Sequence, residues 1–253
     1  MRIDLSKRIA LVTGASGKLG RVIARTLAQC GADVAVHYYQ SKQKAEAVLA
    51  QIQACGVRGV LVQADVTDEK SIAQMQREVA GALGDPDIIV NNAVIQYHWK
   101  TILEQAAEDY ESQFRSCVLQ NVLMAKAFVP AMIRKRWGRV IAINTECAMQ
   151  NVRCQSAYVS GKRGMDGVLR VLAREVGEHQ ITVNQVAPGW MISDRDRQAG
   201  TEHQPEYEAT VPLKRRGEDQ DIANAVAFLA SDLAGFITGA YIPVCGGNVM
   251  PTI

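Results

Sequence analysis

The sequence predicts an α/β domain built on a doubly wound parallel sheet with helices on both faces. Three observations carry that expectation. Short runs of β-branched and other apolar residues alternate with longer helical patterns along the chain. Those runs are apolar throughout, without the in-and-out alternation of a sheet wetted on one side. A glycine-rich turn stands directly between the first run and the first helical stretch.

Each element follows in order. Residues 9–12 form the first strand, and residues 21–30 then have helical spacing. Residues 34–36 lead through a polar turn to a helix at 44–54, and residues 57–62 precede a helix at about 69–83. The fourth strand, 88–90, is followed after a longer loop by two helices within 104–136. Residues 140–143 precede a helix at about 156–176, and 181–183 make a sixth strand. A helix at about 219–230 leads to a seventh strand near 240–244. Right-handed crossovers between such strands cover both faces and leave ligands at the carboxyl ends of the strands. Residues 191–215 fit least well, being charged and containing Gly200, Pro205 and Pro212. They read as a long loop with a short helix, and a substrate loop or lid is expected at about 190–216. No repeat, low-complexity tract or linker precedes residue 190, so residues 1–253 are taken as a single domain.

Composition narrows the function. The chain has 253 residues, 48% apolar, with 28 Lys and Arg against 26 Asp and Glu, a formal charge of +2. That balance argues against a nucleic-acid partner, and the cluster Arg134-Lys135-Arg136 reads as a solvated helix end favoured by the helix dipole. Charge and Asp4 interrupt the first ten residues, unlike a signal peptide. No uninterrupted apolar run approaches the roughly 20 residues of a membrane span, so no membrane partner is expected. The six cysteines form no CxxC pair and have no histidines at metal-ligand spacing, which suggests reduced thiols, a cytoplasmic location and no metal.

In the turn Thr13-Gly14-Ala15-Ser16-Gly17-Lys18-Leu19-Gly20, glycines let backbone N–H groups approach a pyrophosphate at a helix N-terminus. Asp65, at the end of the third strand, strengthens the reading. The second strand ends His37-Tyr38-Tyr39, with no acid to accept a ribose 2′-OH. Lys18 and Lys42 either help neutralise a 2′-phosphate or are simply solvated. The expected cofactor is therefore NADP(H), with NAD(H) as the alternative.

Tyr158 and Lys162 stand four apart on a predicted helix, hence on one face. A free phenol titrates at about 10, and a neighbouring cation favours the phenolate. Such a pair serves acid–base work at a carbonyl oxygen, although the same spacing also arises as an ordinary surface pair.

Taken together, Thr13–Gly20, Asp65-Val66, Asn91-Asn92-Ala93, Tyr158…Lys162, Pro188-Gly189 and Ile237-Thr238-Gly239…Gly246-Gly247 resemble the short-chain dehydrogenases/reductases. So does Pro212-Leu213…Gly217…Ile222-Ala223…Phe228-Leu229-Ala230-Ser231, and the resemblance covers residues 7–250. Within that family the chain is similar to bacterial 3-oxoacyl-carrier-protein reductases and related sugar and alcohol dehydrogenases. The resemblance implies a Rossmann sheet in the order 3-2-1-4-5-6-7 and a homotetramer or homodimer. It implies Tyr158 as general acid/base, with Lys162 holding the nicotinamide ribose and lowering the tyrosine pKa. It also implies Gly14, Ser16, Gly17, Lys18, Leu19 and Gly20 around the phosphates, Tyr38 at the end of the second strand, and Asp65 and Val66 beside the adenine. Asn92 and Ala93 would lie along the nicotinamide ribose, and Pro188, Gly189 and Ser193 near the carboxamide.

The departures are specific. Lys18 replaces a glycine, with Gly17 one step earlier, and Val94 replaces the glycine after Asn-Asn-Ala. Thr145, thirteen before Tyr158, stands for the catalytic serine and keeps the hydroxyl. Cys117, seven after Tyr110, stands where the family has an asparagine that seats a proton-relaying water. A thiol cannot reproduce an amide's bonding, and Asn121 could serve only through a local change of helical register.

The expected activity is hydride transfer between NADP(H) and a carbonyl or secondary alcohol of a small-molecule substrate. The alternative is a cofactor-binding protein with weakened or lost catalysis that acts as a redox sensor or scaffold; Cys117, Thr145 and Val94 favour it, whereas Tyr158 and Lys162 favour activity. Gln96, Tyr97, His98, Trp99, residues 150–155 and Trp190 are expected around the substrate, a lining suited to a polar molecule. The apolar, uncharged tail 241–253 is expected in a symmetric subunit interface.

Overall fold

The computed structural model describes residues 3–251. Its strands are β1 (Ile9–Val12), β2 (Asp33–Tyr38), β3 (Gly59–Gln63), β4 (Ile88–Asn91), β5 (Gly138–Ile143), β6 (Ile181–Pro188) and β7 (Tyr241–Val244). All pair in parallel, in the order β3-β2-β1-β4-β5-β6-β7. The order reverses between β1 and β4, where helices leave the sheet on opposite faces and a crevice opens at the carboxyl ends.

One face carries α1 (Lys18–Gln29), α2 (Lys42–Gln53) and α10 (Asp219–Ala230). Ile23, Leu27, Ile52, Ile222 and Val226 pack there against Val12, Val34 and Val36. The other face carries α3 (Glu69–Ala82), α5 (Gln120–Lys135) and α7 (Ser156–Val176). Ile72, Met75, Met124, Phe128, Met165 and Leu169 pack there against Leu11, Ala35 and Ile89.

β6 is longer than the apolar run at 181–183 suggests, and all eight of its residues are buried. Asn184 and Gln185 interrupt the run but satisfy their amides inside the fold. Asn184 donates to the Ile237 carbonyl and accepts the Ala240 N–H, while Gln185 accepts from Asn144 and donates to Asp166. Strand pairing therefore carries through them to Pro188, which brings that residue to the crevice.

The two helices expected within 104–136 are α4 (Ala107–Gln113) and α5, joined without a break by a wide π-helical turn, Phe114–Leu119. The joined helix, Ala107–Lys135, has the length and apolar composition to cross a membrane, although charged residues interrupt it. Of its most apolar window, 61% is buried within the fold. Residues 191–215 hold two short helices, α8 (Asp194–Ala199) and α9 (Pro205–Thr210), rather than one. A further short helix, α6 (Cys147–Gln150), follows β5.

Candidate active site

The crevice is built first from backbone. Thr13, directly after β1, accepts the N–H groups of Asn92 and Ala93 on its hydroxyl at 2.9 and 3.0 Å. Asn92 returns a bond from Nδ2 to the Thr13 carbonyl at 2.9 Å. Gly14 has φ +64°, and a Cβ there would meet the Ala93 Cα at 3.1 Å; at Gly20 a Cβ would fall 2.3 Å from the Gly14 carbonyl oxygen. Only glycine allows this approach of turn to strand.

His37 fixes the turn from beneath. Its Nδ1 accepts the Gly14 N–H at 2.9 Å and its Nε2 faces the Ala64 carbonyl at 3.0 Å. Those partners require the neutral ring with its proton on Nε2. Burial pushes the pKa down to about 4, against weaker opposing pulls from the Ala64 carbonyl and Asp65.

A single cavity of about 1280 Å³ runs from this turn across the carboxyl ends of the strands. Gly14, Ser16, Gly17, Lys18, Leu19, Gly20, Asp65, Val66, Asn92, Ala93, Thr145, Tyr158, Lys162, Pro188 and Gly189 all line it. Gly17 caps α1 without a side-chain hydrogen bond, so the first-turn amides of α1 are left to an anion. Those amides, the cavity volume and the placement of Lys162 fit a nicotinamide dinucleotide. Val94 also lines the cavity and is absent from the residues of positive φ, so its branched side chain meets no backbone strain.

Two expected residues lie elsewhere. Side chains alternate along β2, so Tyr38 turns with Val34 and Val36 into the core, and Tyr39, Gln40 and Ser41 line the cavity instead. Ser193 caps α8: its hydroxyl accepts the Asp196 N–H at 3.0 Å and donates to the Asp196 carboxylate at 2.6 Å. It lies outside the cavity lining. Lys18 lines the cavity but pairs with Asp219 at 3.8 Å; burial lowers its pKa while Asp219, Asp196 and Asp194 raise it. Its charge is engaged by acids of the lid and of α10.

Tyr158 and Lys162 share one face of α7. Lys162 is buried and donates Nζ to the Ile143 carbonyl at 2.6 Å, with its ammonium 5.6 Å from the Tyr158 ring centroid. Burial lowers the lysine pKa. The expectation that Lys162 favours the phenolate is outweighed here. Burial, then the facing Cys117 and Cys147 thiols, push the Tyr158 phenol well above its ordinary pKa, and the Thr145 hydroxyl pulls weakly the other way. Tyr158 is thus held as a neutral phenol. Its own N–H donates to the Tyr97 hydroxyl at 2.8 Å, which ties the loop after β4 to the start of α7.

Cys117 sits in the π-helical turn facing this pair, its Sγ 3.8 Å from Gln113 Oε1. The turn does change the helical register, yet Asn121 does not replace the family amide. Its Oδ1 accepts from Asn91 at 2.7 Å and its Nδ2 donates to the Cys117 carbonyl at 2.6 Å.

Of the residues expected around the substrate, Gln96, Tyr97, Trp99, Gln150, Val152, Gln155 and Trp190 line the cavity. His98 and Arg153 are exposed outside it. The segment 190–216 is gathered by Arg216, whose fully buried guanidinium donates to the carbonyls of Met191, Thr201 and Glu202 and to Asp196, beneath the Trp190 ring. Arg21 of α1 grips Asp194 of α8 through both carboxylate oxygens at 2.6 Å. Sequence reasoning missed His37, Glu146 and Tyr207. An acidic residue directly after the candidate catalytic hydroxyl was the one available signal for Glu146.

Residues 14–248 match the family model described as enoyl-(acyl carrier protein) reductase. The chain is 39% identical to the 3-oxoacyl-(acyl-carrier-protein) reductase FabG of Staphylococcus epidermidis over 241 residues, 95% of this chain and 98% of that protein. It is 38% identical to the Escherichia coli protein of the same name over 248 residues, 98% of this chain and 100% of that one. Among solved structures, the reductase LugOII, which catalyses keto-reduction at C1 in lugdunomycin biosynthesis, superposes with a TM-score of 0.89 at 30% identity, covering 97% of this chain and 99% of the other.

Proposed function

The chain belongs to the short-chain dehydrogenase/reductase family of NAD(P)-dependent oxidoreductases acting on C=O and CH–OH groups, and from that premise we propose that it reduces a small-molecule carbonyl with NADPH, using Tyr158 as the proton donor. The observation that carries the reading is the neutral Tyr158 phenol beside Lys162 and Thr145, in the same cavity as the glycine-rich turn. When bound in that cavity, a nicotinamide would supply the hydride for the carbonyl carbon. Tyr158 gives its hydroxyl proton to the carbonyl oxygen, and the Thr145 hydroxyl hydrogen-bonds that same oxygen. Lys162 keeps a cation near the phenolate left behind, which is then reprotonated from solvent. The residues for cofactor binding are Gly14 to Gly20, Asp65, Val66, Asn92, Ala93, Lys162, Pro188 and Gly189.

A preference for NADP(H) over NAD(H) is supported by the neutral residues Tyr39, Gln40 and Ser41 where a ribose-binding acid would stand. The relatives' names support a 3-oxoacyl thioester as substrate, and the amides and aromatic rings of the cavity suit its polar end. An apolar groove between α5 and α7, lined by Val129, Ile133, Val168, Val171 and Leu172, supports assembly as a homotetramer or homodimer. The six cysteines, none in a disulfide, support a cytoplasmic location.

The test follows NADPH absorbance with acetoacetyl-coenzyme A and a panel of ketoses and oxo acids. Turnover of at least one supports the reading. Tight cofactor binding without turnover across the panel favours the second reading, a sensor or scaffold, which the replacement of the relay amide by Cys117 supports.

A further inference from the structure

Both oxygens of the Glu146 carboxylate are occupied, by partners from two distant parts of the chain. Tyr207 of α9 donates its hydroxyl to Oε1 at 2.8 Å, and Asn248, beyond β7, donates Nδ2 to Oε2 at 3.1 Å. The Tyr207 oxygen accepts the Trp190 N–H at 2.8 Å, where the substrate loop begins, and the two rings meet edge-on at 5.4 Å. Thr210, ending α9, donates to Asn248 Oδ1 at 3.0 Å. Among the described residues, the side-chain bonds from α9 to the fold outside the loop are those of Tyr207 to Glu146 and of Thr210 to Asn248. The two converge on one carboxylate.

Glu146 is itself anchored. It is 3% exposed, it follows Thr145 directly, and its N–H donates to the Pro188 carbonyl at 2.9 Å. Glu146, Trp190 and Tyr207 all line the cavity. Burying a carboxylate carries a desolvation cost that an apolar residue of similar size would avoid. Burial raises the Glu146 pKa and the Tyr207 and Asn248 donors pull it back down, while the α8 half of the loop is gathered separately by Arg216 and Arg21. The loop therefore has two anchorages, and the α9 anchorage ends one residue from the candidate catalytic hydroxyl.

We propose that Glu146 is a positioning residue that latches α9 over the cavity, so that substrate affinity depends on a carboxylate acting through Tyr207 and Asn248. With the latch broken, the loop populates open states and apparent affinity falls in proportion to the closed fraction that remains. The kinetic arm of the test rests on the carbonyl-reductase reading, and the structural arm does not.

The experiment compares Tyr207→Phe, Glu146→Gln and the double variant with the wild type as full-length proteins. Tyr207→Phe removes the hydroxyl donor; Glu146→Gln keeps the size but turns an amide N–H₂ toward one of two donors. Amide hydrogen exchange across residues 204–211, without added ligand, is expected to speed up by about tenfold in each single variant, the scale of losing one charge-assisted hydrogen bond. The double variant is expected to be faster by less than the product of the two single effects, because both singles break the shared Tyr207–Glu146 contact. With NADPH and acetoacetyl-coenzyme A, KM is expected to rise by a similar factor and by more than kcat falls. Unchanged exchange, additive effects in the double variant, or a fall in kcat at constant KM would each overturn the latch. A wild type that binds NADPH yet turns over nothing would count against the reductase reading, and the exchange measurement would still decide the latch.

Discussion

The side-chain amide of Asn121 donates to the main-chain carbonyl of Cys117 at 2.6 Å, across the wide helical turn that faces Tyr158 and Lys162. The helix changes register where the family amide would stand, but the amide it offers is spent on the backbone and on Asn91. The thiol left at 117 packs close to Gly161, where a Cβ would lie 3.3 Å from the Cys117 Cβ.

If proton resupply through Lys162 needs an amide at that position, Cys117→Asn is expected to raise turnover. The wild type would then show a larger solvent isotope effect than the variant. Overpacking a full interior commonly costs about 1–3 kcal/mol, so folding is checked first by thermal melting. A folded, cofactor-saturated variant with no rate gain and the same isotope effect would show that the thiol only packs.

Tyr158→Phe is expected to lose about 10²–10⁴-fold in turnover, the usual consequence of removing a general acid. Cofactor affinity, measured by fluorescence titration, is expected to stay near wild type. Turnover close to wild type would end the assignment.

NADPH is expected to bind more tightly than NADH. Lys42, in the first turn of α2 beside Ser41, is only loosely paired with Glu46 at 4.0 Å. Lys42→Ala is expected to reduce the preference by about two- to fivefold, as for an exposed ion pair. Lys18→Ala is expected to weaken both cofactors alike, since its charge is engaged by Asp219. Equal wild-type affinities in calorimetry would refute the preference.

His37 makes stability depend on pH with a known sign. Its folded pKa, about 4, lies below the unfolded value of 6.5. Between those values the unfolded chain binds the proton and the folded protein refuses it, so stability is full above about pH 6.5 and is lost as pH falls toward 4. The loss amounts to about 3 kcal/mol over that window. Urea unfolding at stepped pH is expected to show this slope in the wild type and lack it in His37→Gln. Parallel slopes in the two proteins would contradict the buried neutral ring.

The tail 241–253 is expected to pack in a subunit interface, although residues 252 and 253 lie outside those described. β7, at the edge of the sheet, is only partly buried along its length, and Met250 is largely exposed. Light scattering is expected to give the mass of two or four chains. Monomer alone at micromolar concentration would refute the interface.

The sequence by itself determined the strands, the glycine-rich turn and the Tyr158–Lys162 face, because each rests on local rules. Apolar runs set strands, glycine tolerates φ above zero, and four-residue spacing puts two side chains on one helix face. The two helices of the lid and the full length of β6 were less legible. Asn184 and Gln185 break the apolar pattern, and only partners at Ile237, Ala240, Asn144 and Asp166 let that strand continue. Tertiary structure alone decided that Tyr38 faces the core while Tyr39 faces the cavity, since a shift of one residue along a strand exchanges its faces. It also decided that His37 clamps Gly14 and that Glu146 holds Tyr207 and Asn248, partners 61 and 102 residues away. A buried polar group takes its role from whichever donors the fold brings to it, and no local pattern names donors that far along the chain.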